Sequence, residues 1–422
     1  MSCQKLVGAA VVGQSGGPTA VINATLAGVI RAALSDEAKG TITELYGMRN
    51  GIEGFIDGRF VSLSSIFTTP DGTTDEEKLA LLTQTPASAL GSCRKKLPDP
   101  EKDPEFFERL ISRFKENNIR YFFYIGGNDS MDTVAKLSRF VTDHEYDMRV
   151  IGLPKTIDND LPGTDHAPGY GSAAKLIAAE VQEIVRDCAV YTVPAVTIVE
   201  IMGRDAGWLT AASALPRILG GYAPDLVYLP ECDFSMDAFF GDLRSILKMK
   251  PNIVVAVSEG VRFADGTYVG ESTQSGVKDA FGHKYLAGTA KMLTEAVKAE
   301  FGCKVRSIEL NLPQRCGAHF ASQTDLAEAA DAGSAGVKAA VSGETGSMIA
   351  ILRDETAADY AVIYKPANVQ NIANGEQKVP DKFITEEKNN VTDECLRYIA
   401  PLIKGEPKLI MNGGIPVHFV FD

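Results

Sequence analysis

Compact apolar runs alternate along the chain with stretches in which apolar side chains return every three or four positions. The runs Leu6 to Val12, Ile42 to Tyr46, Tyr121 to Ile125 and Val150 to Leu153 read as buried strands. Farther on, Val196 to Ile201, Asp225 to Leu229, Asn252 to Ser258, Cys303 to Leu310, Ser347 to Leu352 and Tyr360 to Tyr364 read the same way. Between them, Ala20 to Leu34 keeps a helical period through Val21, Leu26, Val29, Ile30 and Ala33, and Pro104 to Asn117 keeps one through Phe106, Leu110, Ile111 and Phe114. Further helices are expected over Met131 to Val141, Ala173 to Cys188, Asp237 to Lys248, Leu286 to Phe301 and Ala327 to Val341. Strand and helix in alternation predict an α/β fold built on mainly parallel sheets with right-handed crossovers. The pattern weakens twice. Ser62 to Gln84 reads as a surface excursion, and beyond Lys365 the chain turns polar, an accessory tail with one helix near Asp393 to Ile399.

The polar strings gather where predicted strands end, the place where open α/β sheets put their ligands. The first strand opens into Gly13-Gln14-Ser15-Gly16-Gly17-Pro18-Thr19 ahead of a helix, so backbone N–H groups can cradle a phosphate there. A tight βα connection would look the same, and the GK[ST] ending of a P-loop is missing. The aromatic strand at Tyr121 ends in Gly126-Gly127-Asn128-Asp129-Ser130, with an aspartate where an anion would otherwise come closest. After Leu153 comes Pro154-Lys155-Thr156-Ile157-Asp158-Asn159-Asp160. Two carboxylates, a hydroxyl and an ammonium in so short a stretch suit proton removal beside a metal-bound phosphate, although an isolated string of this kind is more often a solvated turn. The consecutive cations Arg94-Lys95-Lys96 are a solvated face or, beside a phosphate, an oxyanion clamp. Gly169-Tyr170-Gly171-Ser172-Ala173-Ala174 fits a dinucleotide fingerprint only as a string, because no strand precedes it.

Composition narrows the partners. With 422 residues, 45% of them hydrophobic, the chain can hold two or three cores. A formal net charge of -13 disfavours nucleic acid and anionic membrane surfaces. The 7 cysteines are scattered without CxxC spacing and read as reduced thiols of a cytoplasmic protein. No window approaches the roughly 18 uninterrupted apolar residues of a membrane span.

Taken in order, Ser15-Gly16-Gly17, Leu90-Gly91-Ser92-Cys93-Arg94, Gly126 to Ser130, Thr156 to Asp160, Met202-Gly203-Arg204, Glu259, and Arg306 with Gln314-Arg315 resemble the 6-phosphofructokinase family over about Lys5 to Tyr364. The resemblance implies two Rossmann-like three-layer domains with the active site in the cleft between them. Residues 1–165 with about 316–365 would bind the phosphoryl donor and Mg2+, 166–315 would bind fructose 6-phosphate, and 366–422 would be the tail. It also implies a homodimer or homotetramer.

By position, Asp158 matches the catalytic base that takes the proton of the sugar 1-hydroxyl, with Lys155, Thr156 and Arg204 beside it. Gly16, Gly17, Arg94, Gly127, Asp129, Ser130 and Lys155 match donor contacts, and Asn128, Asp129 and Asp160 the metal side. Thr156, Asp158, Met202, Gly203, Arg204, Glu259 and Arg315 match the sugar-phosphate site, to which Arg306 is contributed by a neighbouring subunit. Phosphoryl transfer asks mainly for alignment and charge stabilisation, which Arg94, Arg204, Lys155 and the metal could supply.

Two departures from the ATP-using pattern bear on the donor. That pattern has glycine at the positions of Asp129 and Lys155, where close approach of a nucleotide to the backbone needs it. A carboxylate at Asp129 repels an α-phosphate, and Lys155 adds a cation where phosphate charge develops. The pair resembles the pyrophosphate-using branch, whose reaction runs in both directions; an ATP-using enzyme and an inactive regulatory subunit are the alternatives. Other departures concern single contacts. Asn128 stands for a metal-associated aspartate, Leu312 for a histidine, and Ala195 for a second shared arginine, whose charge Arg306, Arg315 or an unidentified lysine must replace. Ala27 stands for an effector-site arginine while Arg31 persists, so allosteric control is expected to be weak or absent.

Overall fold

The computed structural model describes residues 6–270, 288–373 and 375–421. The chain opens with β1 (Gly8–Gln14), α1 (Ile22–Ala33), β2 (Ile42–Met48), α2 (Gly51–Ile56) and β3 (Phe60–Ser62). Three helices follow, α3 (Leu63–Ile66), α4 (Glu76–Gln84) and α5 (Pro104–Glu116), then β4 (Ile119–Gly126), α6 (Asn128–Asp143) and β5 (Arg149–Pro154). The local sequence explains these boundaries. At α5, for example, the Asp103 carboxylate accepts from Phe106 N at 3.1 Å and Pro104 takes the first helical position, where a missing N–H costs nothing. Arg113 and Lys115 in its last turn face the negative end of the helix dipole, and its buried stripe is the Phe106, Leu110, Ile111 and Phe114 read from the sequence, with Phe107 added.

The middle of the chain forms α7 (Tyr170–Cys188), β6 (Ala195–Ile201), α8 (Trp208–Ala212), β7 (Leu226–Tyr228), β8 (Asp233–Phe234), α9 (Met236–Leu247), β9 (Asn252–Ser258) and β10 (Arg262–Phe263). Then come α10 (Thr289–Phe301), β11 (Lys304–Glu309), α11 (Pro313–Cys316), α12 (Gln323–Val341), β12 (Ser347–Arg353), β13 (Val362–Asn368) and α13 (Asp393–Ile399). Leu286 and Ala287, expected to open the helix before β11, lie outside the described residues.

Two sheets result. The larger runs β13-β12-β5-β4-β1-β2-β3, parallel except for the antiparallel β2–β3 and β12–β13 pairs. The smaller, β11-β6-β9-β7, is parallel throughout. Every pairing of the central strands carries their C-terminal ends to one edge, so the loops after β1, β4 and β5 meet above the larger sheet. Helices α1 and α12 pack at backbone distance on this sheet: a Cβ on Gly28 would lie 1.9 Å from Ala330 O and one on Gly333 2.2 Å from Thr25 O. The small-residue helix is thus a contact surface.

The two weak stretches of the sequence are better anchored than their polarity suggests. In 62–84, Leu63, Phe67, Leu79 and Leu82 are fully buried, and Asp75 caps α4. The Phe67 ring stands 5.3 Å from that of Phe419, while Gln84 Nε2 donates to Ile410 O and Val417 O. The expected excursion is therefore a packed connection to the C-terminus. Beyond Lys365, Val379, Phe383, Val391, Cys395, Leu396, Ile399 and Leu402 enter the core around Trp208 and α7, and Phe421 enters the core under α1. A tail that supplies core side chains is part of the fold. Arg31 is bound by Glu76 of α4 through two hydrogen bonds of 3.0 and 2.6 Å.

Candidate active site

Three loops from the larger sheet build one side of the site. The loop after β1 is held from below by Gln14 and Asn23, both fully buried. Gln14 Nε2 donates to Asn23 Oδ1 at 2.8 Å, Leu90 N donates to Gln14 Oε1, and Asn23 Nδ2 donates to Thr85 O. This stitching brings the 85–93 segment against Gly16, whose N–H donates to Cys93 O at 3.0 Å and whose carbonyl accepts from Ser92 Oγ at 2.6 Å. Gly16 has φ +77°, a left-handed conformation that favours glycine. Gly17 faces two guanidinium groups, with Arg315 Nη1 at 3.5 Å and Arg94 Nη2 at 3.9 Å from where its Cβ would be. Of the three consecutive cations, Arg94 faces this loop. Lys95 lies 3.7 Å from Glu53 and over the Phe106 ring, and Lys96 pairs with Asp129 at 3.0 Å.

The loop after β4 leads into α6 with Gly127 as its cap residue, so Asn128 and Asp129 lie in the first helical turn. Gly126 is required by contact, since a Cβ there would lie 1.8 Å from Ser130 Oγ. Lys155, directly after β5, links both loops. Its N–H donates to Gly126 O at 3.0 Å and its Nζ to Gly17 O at 2.6 Å, with the residue only 3% exposed. Burial lowers its pKa to about 8, the charge being held by Asp158 and Asp160 and opposed by Arg315 and Arg94. Asp158 is pushed the other way, to about 7, by burial and by the Asp160 carboxylate, against the pull of Lys155 and Arg204.

The turn that carries these carboxylates has a definite shape. Asp158 N donates to Thr156 Oγ1 at 3.1 Å, and Asn159 takes φ 55°, a region that asparagine tolerates. Asn128 Nδ2 donates to Asp160 Oδ2 at 3.2 Å, while Asp160 Oδ1 and Asn128 Oδ1 are buried oxygens with no partner. Two uncompensated oxygens on one hydrogen-bonded pair of side chains fit a hard divalent cation, and Mg2+ binds through one or two such groups, keeping waters and substrate oxygens for the rest. Asp129 stands apart from this pair, on Lys96. Among the described residues no group of three His, Cys, Asp or Glu gathers as a metal cluster.

The smaller sheet supplies the opposite wall. After β6, Met202 N donates to the Oε1 of buried Gln314 at 3.1 Å, and Gly203 N to Glu259 Oε1 at 3.3 Å. Gly203 has φ +131°, which favours glycine, and its carbonyl accepts from Ser258 Oγ. Burial, reinforced by Asp158 and Glu200, raises Glu259 to about 8, against the Gly203 N–H and Arg204, which favour its charged form. Arg204 is close enough to steady the charges of both Asp158 and Glu259, and its backbone needs Gly260, where a Cβ would lie 1.8 Å from Arg204 O. Arg315, on α11, has its pKa lowered by burial and by Arg94, with Asp158 working the other way.

Arg306 is not in this group. It lies in the middle of β11 opposite Thr197, roughly 16 Å of strand short of Met202. There it is half exposed, with Asp187 3.8 Å away, and it lines an edge cavity with Lys304, Ala195, Thr197, Asn252 and Tyr191. Lys304 pairs in register with Ala195. This pairing was not read from the sequence, since strand register across a hundred residues has no local signal. Asn23 was missed, and Gln14 and Gln314, though part of the strings, were given no role for a related reason: buried amides that stitch loops resemble any other polar residue.

The phosphofructokinase family model matches residues 9–340, and the chain belongs to that family. The chain is 40% identical over 409 residues to the pyrophosphate--fructose 6-phosphate 1-phosphotransferase of Halomonas elongata, covering 96% of this chain and 93% of that protein. The like-named protein of Xanthomonas campestris is 39% identical over 408 residues, 96% of this chain and 94% of that one. Among solved structures, the pyrophosphate-dependent phosphofructokinase of Nitrosospira multiformis superposes with a TM-score of 0.86 at 36% identity, covering 98% of this chain and 96% of that one.

Proposed function

We propose that the chain transfers a phosphoryl group from pyrophosphate to the 1-hydroxyl of fructose 6-phosphate, reversibly, giving fructose 1,6-bisphosphate and phosphate. The observation that carries this reading is Lys155, a buried ammonium fixed on Gly17 O beside Asp158. It puts a cation between the donor loops and the base. A donor phosphate on Gly16 and Gly17, with Gly127 and Ser130 alongside, would have Lys155, Arg94 and Arg315 to stabilise charge as the bond to the leaving phosphate breaks. Asp158, poised near neutrality, would take the hydroxyl proton as the sugar oxygen attacks. Thr156 would orient it, and Met202, Gly203, Arg204 and Glu259 would hold the sugar. Asp129, tied to Lys96 in the first turn of α6, would set a carboxylate against the α-phosphate of a nucleotide.

Mg2+ would be held by Asp160 and Asn128, and when bound it supplies charge neutralisation for the phosphates. The larger sheet would carry the donor and the smaller the sugar. The position of Arg306 supports a homo-oligomer of two or four copies, in which Arg306 reaches the sugar phosphate of a second copy and Lys304 makes up the charge absent at Ala195. No helix among the described residues is long and apolar enough to cross a membrane; with the glycolytic chemistry proposed, this supports a cytoplasmic site of action.

The test is Asp158→Asn. Turnover with pyrophosphate and fructose 6-phosphate is expected to fall by roughly a hundredfold or more, the scale of a lost general base, with sugar-phosphate binding by calorimetry retained. Turnover within threefold of the wild type would refute the assignment.

A further inference from the structure

The base turn is the front of a closed loop whose rear is locked by charge. Thr156 N donates to Pro168 O at 3.2 Å, and Ala167 N donates to Asn159 Oδ1 at 3.0 Å, so residues 156–168 close on themselves. Gly169 N and Ser172 N both donate to the buried Asp325 carboxylate of α12, at 2.9 and 2.8 Å. At the rear sits His166, 2% exposed, with Nδ1 at 2.8 Å from Asp165 Oδ1 and Nε2 at 2.6 Å from Glu328 Oε2. An imidazole with an ionised carboxylate on each nitrogen can donate to both only as the imidazolium. Burial works against that charge, but the hydrogen bonds to Asp165 and Glu328 outweigh it and raise His166 to about 9.

Polar groups from several elements hold the two acids on this ring. From β12, Arg353 Nε donates to Asp165 Oδ1 at 2.9 Å and Arg353 Nη2 to Tyr398 O at 2.6 Å. From α13, Tyr398 OH donates to Asp165 O at 2.7 Å, and Tyr360 OH donates to the other oxygen of Glu328, also at 2.7 Å. The segment beyond β13 reaches the front of the loop as well. Gln377 N donates to Asp160 O at 2.7 Å, and Gln377 O accepts from Trp208 Nε1 of α8 at 3.1 Å. Two acids, Asp165 and Glu328, thus face two cations, His166 and Arg353, with Asp325 occupied by backbone N–H groups.

We propose that His166 is a positioning residue for phosphoryl transfer, an ion-paired bolt between Asp165 and Glu328 that fixes the loop carrying Asp158. The inference rests on the reading of Asp158 as the base. Its pH sense follows from the raised pKa. The contribution of the bolt is complete below the ordinary imidazole value of about 6.5 and is lost as the pH rises through about 9.

The experiment uses the full-length protein with His166→Gln and Glu328→Gln. In His166→Gln, kcat at pH 7.5 is expected to fall roughly tenfold while KM for fructose 6-phosphate and pyrophosphate stays within about twofold, the pattern of a misplaced reacting group. In the nearly isosteric Glu328→Gln, which also serves if His166→Gln does not fold, the imidazole loses one acid. Its kcat defect should be at least about threefold larger at pH 8.5 than at pH 6.5. Nitrogen NMR of labelled histidine should show one imidazole in the wild type that keeps both protons past pH 8 and is missing from His166→Gln. An imidazole titrating near its ordinary value overturns the proposal, as does a kcat defect independent of pH in Glu328→Gln. An unchanged His166→Gln kcat beside a disabled Asp158→Asn also sinks it, whereas an active Asp158→Asn removes the underlying reading instead.

Discussion

Lys155 offers the sharpest perturbation because it is buried, charged and placed on a backbone oxygen of the donor loop. Lys155→Met keeps the length of the side chain and removes the charge. In the wild type, burial is the largest influence on this group, yet it stays charged at neutral pH because Asp158 and Asp160 face it. Without it, those carboxylates lose their nearest counter-charge, Asp158 rises further above its ordinary range, and Gly17 O is left without its 2.6 Å partner. Two unit charges 4 Å apart at an effective dielectric of about 20 interact by about 4 kcal/mol, and losing one preorganised group that stabilises transition-state charge costs about a hundredfold to a thousandfold in rate. We therefore expect kcat/KM for pyrophosphate to drop by about 10²–10³, or about 3–4 kcal/mol. The loss should sit mostly in kcat, since the cation matters more as charge develops. KM for fructose 6-phosphate should move little, because Met202, Gly203 and Glu259 hold one another without Lys155. Steady-state kinetics with coupled detection of fructose 1,6-bisphosphate measures both. A loss smaller than fivefold, or one confined to KM for the sugar, would show that Lys155 is structural and that the donor phosphate lies elsewhere.

Two further outcomes test other parts of the account. Lys304→Ala should raise KM for fructose 6-phosphate by about tenfold or more, the worth of one charge-assisted contact, with KM for pyrophosphate unchanged; an unaltered sugar KM beside a raised one in Arg306→Ala would remove Lys304 from the shared site. Phe383→Ala should lower the unfolding free energy by about 3–5 kcal/mol, as for other buried aromatics, because its ring packs against Trp208 and Tyr398; a loss below 1 kcal/mol in denaturant titration would mean that the C-terminal segment is dispensable.

How much of this was legible in the sequence depends on the range of the interactions involved. The strands β4, β5 and β9 and the helix α5 are written locally, in apolar runs, period and caps, and they were read within a few residues of where they lie. The strings at their ends also marked the loops that meet around Asp158. What escaped was decided by distant partners. The 62–84 stretch is polar by count, yet Leu79 and Leu82 have a core to enter once Phe419 and Phe421 return from the other end of the chain. The residues after Lys365 look like a tail until Phe383 and Leu396 meet Trp208. His166 lies only eight residues past Asp158, but its chemistry depends on Glu328, far along the chain. The lysine that could stand in for an arginine at Ala195 was invisible for the same reason, being set by the pairing of β11 with β6.

The claim on which the rest depends is that the donor side accepts pyrophosphate and turns nucleotides away. It is tested most directly by kcat/KM for pyrophosphate and for ATP, measured side by side at saturating fructose 6-phosphate in the wild type and in Asp129→Gly. The account predicts a wild type that uses pyrophosphate at least about a hundredfold better, and a variant in which ATP gains by about tenfold or more as the repelling carboxylate is removed. A wild type that turns over ATP as well as pyrophosphate, with no change of ratio in Asp129→Gly, would contradict it.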